Sequence, residues 1–143
     1  MKTLKSIMLG TAMMAFFGAA NAANVKGDGP LTSDYVLKTY ITATTEGNLA
    51  GFDKIFDDNA TFSVVENREV KKLSKEDALN NVKINEGIKQ ECTTNTSVFK
   101  ESKENTVYEI DVKYADVTKI NYVTMVGSDS TGWKITNVQT VTQ

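Results

Sequence analysis

Histidine is absent from all 143 residues, and cysteine, proline and tryptophan occur once each. Each shortage removes a class of chemistry. Without an imidazole there is no Ser–His or Cys–His pair for nucleophilic catalysis, and no nitrogen ligand for zinc. A lone cysteine, Cys92, cannot close a disulfide within the chain, so stability has to come from core packing. Cys92 alternates with Thr94 and Thr96 and is expected as a small buried hydrophobe in a strand, without the base that would activate its thiol. A basic excess is missing too. Sixteen Lys and Arg against eighteen Asp and Glu leave a net charge of −2. Neutralising a phosphate backbone requires a basic face, so no nucleic-acid partner is expected. The group Arg68, Lys71, Lys72 and Lys75 reads as solvated charge around a hairpin and a helix start. Gly-rich phosphate loops, EF-hand spacing and Ser-nucleophile motifs are also lacking, and neither metal nor cofactor is expected.

What is present begins with an export signature. Lys2 and Lys5 form a positive start, residues 6–20 (SIMLGTAMMAFFGAA) form an apolar run, and Ala20-Asn21-Ala22 has the small residues of a cleavage site. A membrane-spanning helix needs roughly 20 apolar residues. Residues 1–22 are therefore expected as a signal peptide, and the remaining 121 residues as an exported, periplasmic or secreted chain. Its net charge falls to −4, because Lys2 and Lys5 leave and no acid does. No later run is long and apolar enough for a span, so no membrane association is expected after cleavage. Residues 23–31, with Gly27, Gly29 and Pro30, form a linker, and 32–143 form one domain. At that size a domain buries about two-thirds of its unfolded surface.

The period of the apolar residues then sorts the domain. Thr32 or Ser33 caps a helix whose buried face carries Val36, Leu37, Tyr40, Ile41 and Thr44. Gly47 ends it, and Asn48 starts a second helix with Leu49, Phe52, Ile55 and Phe56 inward. After Asn59 the period becomes two: 60–65 and 68–73 form a strand pair. A third helix follows from Ser74, with Ala78, Leu79 and Val82 apolar. Strands are expected over 92–101, 106–114, 118–126 and 133–142. The order ααββαββββ predicts an α+β domain, with three helices in the concave face of a curved, mainly antiparallel, six-stranded sheet.

Two groups of residues invite function. Asp53, Asp57 and Asp58 could form a carboxylate-only metal site; alternatively they are the wet face and end of a helix. Val123, Met125 and Val138 are apolar on a face expected to meet water, either as scattered exposed residues or as a homodimer patch.

The helix with an inward tyrosine, followed by EGNLAGFDKIFDDNATF, a capped third helix and a closing GWKI strand, resembles the nuclear transport factor 2-like (cystatin-like α+β) superfamily. The nearest pattern is the secreted bacterial group named for lumazine binding. The resemblance covers about residues 33–142 and is specific for fold rather than function. It agrees with the one-sided cone that the curved sheet makes, whose candidate lining is Tyr40, Phe56, Val64, Tyr108, Ile110, Tyr122 and Trp133, suited to a flat or apolar small-molecule ligand. It also implies a comparison with ketosteroid isomerase-like members. Tyr40 matches their hydrogen-bond-donating tyrosine. Their general-base position falls on Val64, which cannot accept a proton, and their second oxyanion partner falls near Tyr122 or Val123, where no carboxylate stands. Dehydratase and cyclase relatives use Asp–His pairs. The resemblance thus favours a non-catalytic ligand-binding domain, or an interaction module if side chains fill the cone. The competing expectation is an isomerase-like enzyme using Tyr40 and another acid.

Overall fold

Thr32 fixes where the first helix begins: its hydroxyl accepts a 3.2 Å hydrogen bond from the Tyr35 N–H and so caps α1 (Ser33–Glu46). The computed structural model describes residues 29–143; the expected signal peptide, 1–22, and most of the expected linker, 23–31, lie outside the described residues. On α1, Val36, Tyr40 and Ala43 are buried at helical spacing against the sheet. Gly47 ends the helix in the left-handed conformation (φ 66°), and the Asn48 N–H closes back to the Thr42 carbonyl at 3.2 Å.

The second expected helix is a single 3-10 turn, Phe52–Ile55. The left-handed Gly51 precedes it and a strand follows at once, which leaves no room for an α-helix. At three residues per turn, Phe52 and Ile55 stack on one side, and both are buried. The expected set of three α-helices is thereby corrected to α1, this turn, and α2 (Lys75–Lys83).

Six strands follow in the expected order: β1 (Phe56–Glu66), β2 (Glu69–Leu73), β3 (Thr93–Glu101), β4 (Asn105–Lys113), β5 (Thr118–Ser128) and β6 (Gly132–Thr142). They form one sheet in the order β2-β1-β6-β5-β4-β3, antiparallel except for the parallel pair β1–β6. Three irregularities curve it. Between Phe56 and Thr61 the β1 ladder slips against β6, Thr136 bulges out of β6 opposite β5, and Phe99 bulges out of β3.

Two of the three aspartates weighed as metal ligands belong to this curvature. Asp57 and Asp58 lie in the slipped part of β1, not at a helix end. The Asp57 carboxylate accepts from the Asn59 N–H at 2.9 Å, and its carbonyl accepts from the Lys75 ammonium at 2.9 Å, which satisfies backbone groups the ladder leaves unpaired. Asp53 is exposed and pairs with Lys83 at 3.0 Å.

The concave face of the sheet carries Ile110, Val112, Val123, Met125, Ile135 and Val138. This corrects the proposed dimer patch. Val123 and Met125 are 0% exposed and Val138 is 4% exposed, packed in the core. The reason is register. Val123 lies directly opposite Tyr108, and opposite residues in an antiparallel pair share a face. The homodimer expected through these three residues has no surface there. Among the described residues, no helix is long and apolar enough to cross a membrane.

Candidate functional site

The concave face and the helices do not fill the space between them. A cavity of about 270 Å³ remains, lined on the helical side by α1, the 3-10 turn and α2, and on the other by β1, β4, β5 and β6. It stays open because α2 covers it loosely. Ala78, Leu79 and Val82 face inward but are only half-buried, and α2 has no fully buried residue.

Three of the seven expected lining residues stand on this cavity: Tyr40, Phe56 and Val64. The other four do not. Ile110 is packed solid in the core, 1% exposed. Trp133 is buried at the chain entry, where its N–H donates to the Leu31 carbonyl at 2.8 Å and its indole Nε1 has no partner. Tyr108 lies half-buried at the opposite end of α1, beside Ser33 and Asp34. Tyr122 points to the convex face, edge-on to Phe99 with ring centroids 5.3 Å apart. It sits opposite Glu109, which shares that outer face.

The apolar floor is an aromatic cluster. Phe56 packs edge-on against Tyr40 (6.5 Å) and Phe52 (5.0 Å), and tilted against Phe62 (5.5 Å). Above it lies the Tyr40 hydroxyl. Burial alone pushes its pKa far above the ordinary phenol value, and no hydrogen bond or charge offsets that shift. Tyr40 therefore stays a protonated donor near neutral pH, without a protein hydrogen-bond partner among the described residues.

Polar residues that the sequence did not single out complete the wall. Asn121 is buried on β5; its Oδ1 accepts from the Thr140 hydroxyl at 2.7 Å, and its Nδ2 makes only a long 3.5 Å bond to the Ile110 carbonyl. At the mouth, the Tyr114 hydroxyl donates to Gln90 Oε1, and the Lys119 ammonium lies 5.7 Å from the centre of the Tyr114 ring. Asn85, Gln90, Tyr114 and Lys119 also line an open groove that continues outward past Glu91 and Asp116. The signal for Asn121 was available: it is the polar member of Asn121-x-Val123-x-Met125, which becomes a buried amide once that face is inward.

Among the described residues no Asp or Glu lines the cavity, and Lys119 is the one charged side chain that does. No three Asp, Glu or Cys side chains among them converge as metal ligands would. Cys92 is half-buried rather than buried; partial burial, then the charge of Glu46, push its thiol up and away from reactivity.

Tyr40→Phe gives a direct check on the hydroxyl. Removing a buried group that lacks a protein partner should leave stability within about 0.5 kcal/mol of wild type or raise it. The alkaline limb should change as well. Above the unfolded phenol value the unfolded chain has lost this proton and the folded chain keeps it, so wild-type stability falls as pH rises past about 10. Urea titrations from pH 8 to 11 should show a shallower decline in the variant. A parallel decline would mean that Tyr40 ionises normally.

Comparison of the sequence with protein-family models and with curated proteins gave no match. Solved structures do match. A nuclear transport factor 2-like protein of unknown function from Silicibacter pomeroyi superposes over 77% of this chain and 92% of its own, with TM-score 0.63 at 14% identity. Proteins of the same description from Shewanella baltica (76% and 88% covered, TM-score 0.58, 10% identity) and Methylobacillus flagellatus (77% and 88%, TM-score 0.56, 12% identity) are similar. The chain has the nuclear transport factor 2-like fold, as its sequence resemblance implied. At these identities the likeness describes the fold alone.

Proposed function

We propose that this chain is an exported, non-catalytic nuclear transport factor 2-like domain that binds a small ligand in its cone. One observation carries the reading: a cavity of about 270 Å³ lies beside an unpartnered Tyr40 hydroxyl, with no carboxylate on its walls among the described residues. The open cavity supports binding over an interaction module with a filled cone. The missing carboxylate supports binding over isomerase-type proton transfer, because a general base must come within hydrogen-bond reach of the proton it takes. The size fits a one- or two-ring molecule. An engineered apolar cavity of roughly 150 Å³ in another protein holds benzene. The group named for lumazine binding would supply a flat two-ring heterocycle, which is within that limit. Native mass spectrometry of protein purified from its own source is the test. A bound small mass, released on denaturation, is expected; protein that stays unliganded even after incubation with extract of the same cells contradicts the reading.

A further inference from the structure

The cavity wall carries one charge, that of Lys119, and among the described residues no carboxylate; its hydroxyls and amides can each donate and accept. Asn121 Oδ1 is occupied by the Thr140 hydroxyl, and Gln90 Oε1 by the Tyr114 hydroxyl. In each amide one acceptor position is thus taken, and the NH2 end keeps a donor for a ligand, the other Asn121 N–H going to the Ile110 carbonyl. The Tyr40 hydroxyl is a third free donor, held protonated by burial. Lys119 adds three N–H groups and a positive charge, and among the described residues it has no carboxylate within ion-pair distance. Against these donors stand the aromatic floor around Phe56 and the aliphatic wall of Val112 and Val138. A cation would meet the Lys119 charge and, among the described residues, no carboxylate on that wall.

Resting on the binding reading above, we propose that the ligand is a small monocarboxylate with an apolar body. Its carboxylate lies between Lys119 and the amide NH2 groups of Gln90 and Asn121, and its body lies on Phe56 and Val138. Charge-assisted hydrogen bonds of this kind are roughly twice as strong as neutral ones. Glu91 and Asp116 stand only on the outer groove, so they meet the anion on approach and do not touch it once bound. A cavity of about 270 Å³ admits one ring with a short acid arm and rejects a four-ring body.

The test pairs 3-phenylpropanoate with its amide, 3-phenylpropanamide, by ligand-observed NMR at pH 7 on wild type, Lys119→Gln and Val64→Phe. Lys119 is exposed, so its substitution leaves the fold intact. Wild type should bind the acid at least about tenfold tighter than the amide, and Lys119→Gln should lose about that factor for the acid alone. Equal binding of acid and amide in wild type, both lost in Val64→Phe, would overturn the carboxylate proposal and leave the cavity reading standing. If neither compound binds wild type any better than Val64→Phe, the proposal fails together with the binding reading.

Discussion

Phe56→Ala should cost about 3–5 kcal/mol of unfolding free energy, the range for truncating a buried phenylalanine. Phe56 is 2% exposed and is the one ring in contact with Tyr40, Phe52 and Phe62 together. It also starts β1, so its side chain ties the 3-10 turn to the sheet and to the inner face of α1. The neighbouring cavity makes collapse around the lost ring less effective, because the space already has an unfilled side. A domain of this size has only about 5–15 kcal/mol in hand, so the variant should stand close to its unfolding threshold. Phe56→Leu, which keeps most of the volume, should lose under about 1.5 kcal/mol. Urea titration followed by circular dichroism reads both. A loss below about 1 kcal/mol for Phe56→Ala would show that the cluster does not hold the turn against the sheet.

Gly47→Ala should cost about 2–4 kcal/mol, for two separable reasons. The first is the left-handed backbone (φ 66°), which a side chain resists. The second is space: a Cβ here would lie 2.3 Å from the Asn85 carbonyl oxygen and 2.6 Å from the Gly87 nitrogen. Both are backbone atoms of the segment that folds from α2 onto the end of α1, through Gly87 N–H to the Gly47 carbonyl (2.9 Å) and Gln90 N–H to the Thr45 carbonyl (2.8 Å). Gly87 is the internal control. Its φ is 73°, yet nothing lies within 4 Å of its added Cβ, so Gly87→Ala should cost only about 1 kcal/mol. Equal losses at the two positions would mean that the close approach of this segment to Gly47 contributes nothing. Since Asn85 and Gln90 line the cavity mouth, Gly47→Ala should also weaken ligand binding.

The periodicity of the chain carried most of the architecture. Thr32, Gly47 and Ser74 mark helix ends by local chemistry, and they do so in the structure. The strand pattern from β3 onward was similarly readable, because alternation is a property of each strand alone. What alternation lacks is an absolute face. It separates Val123 and Met125 from Tyr122, but only the register of β5 on β4 says which set shares a side with Ile110. That pairing is a long-range fact, and without it the inner and outer sets of β5 were exchanged. Tyr122 was thereby assigned to the cone, Val123 and Met125 were assigned to the surface, and Asn121 was overlooked. The short helix at Phe52 failed for a different reason: spacings of three and four residues fit both helix types, and its length is limited by left-handed Gly51 before it and by β1, which begins directly after it. Tyr40 was placed inward by its helical spacing with Val36 as well as by the family resemblance, and Val64 was aligned by that resemblance independently of face.

The central claim, an open and accessible cone beside Tyr40, is tested most directly by amide-resolved NMR of wild type and Val64→Phe with a panel of one-ring compounds, acidic and neutral. Val64 lines the cavity, and phenylalanine there takes up part of its space while the aromatic floor's own residues stay unsubstituted. At least one compound should shift the amide signals of Tyr40, Asn121 and Thr140 in wild type, and should leave them unmoved in the variant. A panel that moves none of the three signals in wild type, or moves them equally in both proteins, would contradict it.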